Sequence, residues 1–64
     1  MKLKELEDIL YSQRGYVQFA TVYDAEQEAD IASGCTIDWA VKTFAEKEVV
    51  HIQAAGNQLI ITVK

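Results

Sequence analysis

EVVHIQAAGNQLIITVK, residues 48–64, decides how this chain folds. Two runs rich in β-branched residues flank Gly56-Asn57, the kind of pair that closes a two-residue hairpin. With that loop, Ala55 faces Gln58, and the pairs Ala54–Leu59, Ile52–Ile61 and Val50–Val63 follow. All of these inner pairs are apolar and share one face of the ribbon. The opposite face receives His51 with Thr62 and Gln53 with Ile60. A slip of one residue would send every apolar side chain to the wrong face, so the pattern selects its own register.

Upstream of the hairpin, CTIDWAVKTFAEKE places Thr36 as a cap for a short helix over 37–45. Its apolar side is Ile37, Ala40, Val41 and Phe44. The cap is incomplete as a box, because Trp39 stands where Glu or Gln would reciprocate. Further back, YVQFATVY (16–23) is β-branched and aromatic, with apolar residues in both alternating sets, the signature of a central strand. Asp24–Gln27 then reads as a hairpin turn and 28–34 as a strand, with Glu28, Asp30 and Ala32 outward and Ala29, Ile31 and Ser33 inward. A helix continuing from Asp24 is the alternative for this stretch. At the start of the chain, Leu3, Leu6, Ile9 and Leu10 form one helical stripe that Gly15 is placed to end. Lys2 and Lys4 oppose the helix dipole there, so its first turn is expected to fray.

The expected fold is α+β: a single domain over residues 1–64, in the order α-β-β-α-β-β. An antiparallel sheet carries the helices on one face. A domain of this length buries only about 60% of the surface its unfolded chain exposes. Small domains often gain stability by self-association, and a homodimer is an expectation from size.

The opening KLKELEDILYS, the central YVQFATVYD and above all the closing KEVVHIQAAGNQLIITV resemble a loose set of short, uncharacterised α+β proteins of Firmicutes genomes and their phages or mobile elements. The likeness covers most of the chain and rests on structural motifs. It implies a fold and a mobile-element origin, and no activity. Members of that set carry a glycine in the acidic turn, whereas residues 24–33 here have none.

Composition excludes several functions. With 64 residues, half hydrophobic and a quarter charged, the balance is that of an ordinary globular chain. No apolar run approaches the ~20 residues of a membrane span. The opening MKLKELEDIL has acids where an export signal needs an apolar core. A lone cysteine, Cys35, fits a reducing compartment, and the expected location is the cytoplasm. A net charge of −4 and six scattered basic residues give no patch for a phosphate backbone, so no direct nucleic-acid binding is expected. No membrane association or small-molecule substrate is expected either.

The chemistry-bearing residues are few. Cys35 and His51 could pair as nucleophile and base on composition alone. The simpler reading buries Cys35 where strand meets helix and leaves His51 on the polar side of the hairpin. Asp24, Glu26, Glu28 and Asp30 alternate like calcium ligands, but the positions needing Gly and a bidentate Glu hold the wrong residues from either starting point. Zinc would need about four Cys or His ligands. No catalytic residue, metal site or cofactor is therefore assigned. Extended, the four acids would line one side at ~6–7 Å spacing, close to alternate phosphates of a nucleic-acid strand. They read either as a charged edge that resists sheet-to-sheet pairing or as a lure for a basic partner. Trp39, off the helical stripe, either caps the rim of the core or anchors a partner, and Tyr11, Tyr16 and Tyr23 could join it in an aromatic patch.

The expected function is a non-enzymatic protein–protein interaction module. Asp24, Glu26, Glu28, Asp30 and Trp39 are the candidate contacts. An acidic nucleic-acid mimic that inhibits a basic host enzyme, and a structural homo-oligomer, are the alternatives.

Overall fold

The structure, a computed structural model, describes residues 1–7 and 19–64. The expected helical positions Ile9 and Leu10, the Gly15 stop and the start of the first strand at 16–18 lie outside them. A 3₁₀ turn at Leu3–Leu6 comes first, followed by strand β1 (Phe19–Asp24) and strand β2 (Ala29–Thr36). Helix α1 (Ile37–Thr43), strand β3 (Val49–Ala55) and strand β4 (Gln58–Val63) complete the order. All four strands form one sheet in the order β2-β1-β4-β3.

The sheet is mixed, which corrects the expected antiparallel one. β1 pairs with β2 and β3 with β4 antiparallel, but β1 and β4 run parallel, from Phe19 beside Gln58 to Asp24 beside Val63. It follows that β2 and β3 point the same way, and α1 returns the chain to the same end of the sheet between them. Strands of like direction need such a crossover. The two hairpins therefore meet through their inner strands, and β1 is central as its two-sided apolar pattern requires.

The second hairpin takes the expected register from Ala55–Gln58 through Ile52–Ile61 to His51–Thr62. Gly56 sits at φ 65 while Asn57 keeps a negative φ, the sign pattern of a II′ turn with Gly in its first position. Beyond His51 the pairing departs from expectation: Val49, not Val50, faces Val63. A bulge takes up the extra residue, which leaves Val50 53% exposed. The chain start fixes the strand there, since the Val49 N–H donates to the Met1 carbonyl at 2.7 Å.

β2 also corrects its predicted alternation. Tyr23 faces Asp30, Val22 faces Ala32 and Ala20 faces Cys35, with register shifts between successive pairs. Ile31, Ala32 and Cys35 consequently all pack against the core, while Ala29 and Ser33 are exposed. The turn that precedes it contains Glu28 at φ 54, the one non-glycine residue with positive φ among those described. Left-handed backbone there is the conformation that glycine adopts without strain.

The core lies between α1 and one face of the sheet. Ala20 and Val22 of β1 pair with Leu59 and Ile61 of β4 on that face. Ile37, Ala40 and Val41 of α1 cover them, and Leu3 and Leu6 close the same cluster. Thr36 Oγ accepts the Trp39 N–H at 3.2 Å, so the expected cap is present. The helix stops two residues short of expectation, and the Phe44 N–H closes it on the Ala40 carbonyl. On the other face, Thr21 donates from its hydroxyl to the Gln58 side-chain oxygen at 2.8 Å.

Candidate functional site

Asp24 does not belong to a surface row of acids. It ends β1 on the helix side beside Val63 and is only 2% exposed. One carboxylate oxygen accepts the Glu26 and Gln27 N–H groups at 2.9 and 3.1 Å. The other accepts from Lys47 Nζ at 3.3 Å. The Gln27 amide above all, with Lys47 and the Glu26 amide, holds this carboxyl below its ordinary range against the opposing effect of burial. Asp24 thus shapes the turn and ties it to residue 47. The D-A-E-Q run carries the signal for this role, because Asp at a turn start binds the amides two and three residues on.

Glu26, Glu28 and Asp30 remain at the surface. Glu26 and Glu28 ride on the turn rather than on a strand, so the regular spacing expected of an extended row is not kept. None of the three has an ion-pair partner among the described residues.

Cys35 and His51 are not brought together. They lie on the two edge strands, three inter-strand gaps or about 14 Å apart across the sheet. They also sit on opposite faces, Cys35 beside Ala20 and His51 beside Thr62. The Cys35 thiol donates to the Ala20 carbonyl at 3.1 Å, and burial pushes its pKa up. A raised thiol pKa is the reverse of what a nucleophile needs. His51 Nε2 contacts Gln53 Oε1 at 3.3 Å on the exposed surface of β3. Among the described residues no group of three or more His, Cys, Asp or Glu side chains is placed to hold a metal ion. No described helix is long and apolar enough to cross a membrane.

Trp39 occupies the first turn of α1 and is 49% exposed. Its ring stands edge-on to Phe44, with centroids 5.8 Å apart and planes at 83°. That geometry holds the indole at the rim of the core without enclosing it. Phe44 also lines a hollow of about 440 Å³, together with Lys42, Thr43, Ala45, Glu46 and Lys47. Tyr23 does not join this group, since it points from β1 to the face away from the helix, opposite Asp30 and Thr62. Tyr11 and Tyr16 lie outside the described residues.

Sequence reasoning missed the clamp beside this hollow. Glu46 bridges Lys2 and Lys4, each at 2.9 Å, and the N-terminal ammonium meets Glu48 at 2.6 Å. Lys2 foremost, then Lys4, brings the Glu46 carboxyl down to about 2. The two lysines read as opposing a helix dipole are held instead by the single Glu46 carboxylate of the α1–β3 connection. The complementary runs KLK and EKE were its only trace in the sequence.

The architecture is that of a two-layer α+β domain with a four-stranded mixed sheet. No family model, curated protein or solved structure matches the chain.

Proposed function

We propose that this is a small non-enzymatic protein-binding module that engages its partner through the Trp39 end of α1. The observation that carries this reading is a half-exposed tryptophan set edge-on against Phe44, itself one of the residues lining a hollow. Tryptophans held rigid at a rim are frequent anchors of interfaces, because they bring a large apolar area with little side-chain freedom to lose. The resemblance to short Firmicutes and phage proteins supports an origin on a mobile element, and a cytoplasmic location fits the single reduced cysteine.

The test compares tagged wild type, Trp39→Ala and a Glu26→Gln/Glu28→Gln/Asp30→Asn variant in pull-downs from lysate at low and high salt. Loss of a specific partner in Trp39→Ala alone, with the fold intact by circular dichroism, supports the proposal. Loss in the amide variant alone, together with salt sensitivity, transfers the function to the acidic turn and its mimic reading. A substrate turned over by the chain and lost in Cys35→Ser or His51→Ala would replace both.

A further inference from the structure

The two edges of the sheet differ in charge and in regularity. β2 carries Asp30, two register shifts and Gly34 at φ 66, features that twist and charge an edge against association. β3 has none of these after its bulge. From His51 to Ala55 it reads HIQAA, without a formal charge, in a chain whose net charge is −4. Gln53 and Ala54 are exposed, Ile52 is half-buried, and α1 packs over β1 and β2 instead.

The hairpin fixes which main-chain groups this edge offers. In a two-residue loop the closing pair, here Ala55–Gln58, is hydrogen-bonded, and bonding alternates from there. Residues 51, 53 and 55 therefore turn their N–H and C=O groups toward β4, and Ile52 and Ala54 turn theirs outward. Toward the bulge the lane is occupied, because the Met1 carbonyl takes the Val49 N–H. An added strand must fit beside residues 51–55.

We propose that the occupant is a second copy of β3, paired antiparallel about a twofold axis at Gln53. Ile52 then faces Ala54 of the other copy, and these are the residues whose main-chain groups point outward in both. An axis through Ile52 or Ala54 would keep the same phase but run the seam into the occupied lane at Val49 or into the turn, so Gln53 is the centre that uses all of residues 51–55. Gln53 faces its own copy on the side away from the helix, and His51 faces Ala55. No acid meets an acid in the seam, whereas a partner pairing along β2 would meet Asp30. The result is one eight-stranded sheet with its apolar Ile52 and Ala54 side chains sealed in the joint. So short a contact falls below the ~1,200 Å² of stable complexes, so the dimer is weak and forms at high concentration.

The test uses the whole chain with Cys35→Ser to remove the native thiol. Directly opposed residues that are not hydrogen-bonded to each other lie about 4.5 Å apart at Cα, within disulfide range. Gln53→Cys should thus yield a covalent dimer on mild oxidation. His51→Cys, on the same face but about 13 Å from its copy in this register, should yield none. Sedimentation equilibrium of wild type should show the mass rising from one chain toward two as concentration increases, more so at high salt. Ala54→Lys should hold it at one chain. A wild type that stays at one chain to about 1 mM, with no more covalent dimer from Gln53→Cys than from His51→Cys, overturns the proposal. Equal cross-linking at both positions overturns the register. Protection of the Ile52 and Ala54 amides only on adding an extended neutral peptide assigns the edge to another chain and also overturns it.

Discussion

Replacing Glu28 with glycine should stabilise this protein. Glu28 holds φ 54 in the turn between β1 and β2. A side chain in the left-handed region costs about 1–2 kcal/mol, because Cβ crowds the neighbouring carbonyl oxygen. Glycine removes that strain but adds unfolded-chain freedom worth about 0.5–1 kcal/mol. The net gain is about 0.5–1 kcal/mol, since Glu28 is exposed and its side chain has no ion-pair partner among the described residues to lose. For a chain of this size each kcal/mol moves the thermal midpoint by about 4–8 °C, so Glu28→Gly should melt roughly 2–8 °C higher. Glu28→Ala keeps the strain while removing the charge, and should melt near wild type. Gly34 and Gly56 lie at φ 66 and 65 with open space where a Cβ would stand, so Gly→Ala at either must lower the midpoint through the backbone alone. Thermal melts followed by circular dichroism read all four variants. A lower midpoint for Glu28→Gly, or an equal rise for Glu28→Ala, would refute the argument and point to charge repulsion in the turn instead.

Three further outcomes are expected. Ile61→Ala, at a fully buried position between Val22 and Ile52, should cost about 3–4 kcal/mol, whereas its half-buried neighbour Ile60 on the other face should cost about 1; equal losses in urea melts would show that both faces are equally packed. Glu46, at about 2 in the fold against an ordinary 4.5, stabilises fully above the unfolded value. That stability is lost as pH falls from about 4.5 toward 2, and the acid slope of the thermal midpoint should flatten in Glu46→Gln. Cys35, its thiol pKa raised by burial, should react slowly with a thiol reagent at pH 8 and quickly once denaturant unfolds the chain; fast labelling of the native protein would contradict the burial described.

What could be read from the sequence follows from how local each signal is. The β3–β4 hairpin was legible because Gly56-Asn57 and the apolar pairs lie within a few residues of one another, and the Thr36 cap because it acts over three. The parallel pairing of β1 with β4 was not, since no turn joins them and both strands show apolar residues that would suit either direction. The bulge at Val50 was hidden for a related reason: Val49 and Val50 are the same residue, so composition cannot say which one faces Val63. Asp24 misled by alternation, which ranked it with Glu26, Glu28 and Asp30, although its spacing to two turn amides marked a different role. For the candidate site, Trp39 stood out by falling off the helical stripe. The clamp beside the hollow joins Lys2 and Lys4 to Glu46 across most of the chain, which no local pattern shows.

The parallel contact between β1 and β4 also governs time. Each hairpin can close on its own, the turn bringing its strands together within about 1–10 μs. The junction between them cannot, because Phe19 must find Gln58 after the whole of α1 and β3 has been threaded between. The large loop closed there costs entropy before any burial offsets it, which slows folding at a given stability. Substitutions in Val22 or Ile61 should therefore act on the folding rate as well as the unfolding rate. Until that junction forms, the β3–β4 hairpin has both of its outer edges open, the neutral one of β3 and the one β4 later gives to β1, and the interval before closure is when this chain is most exposed to its own copies.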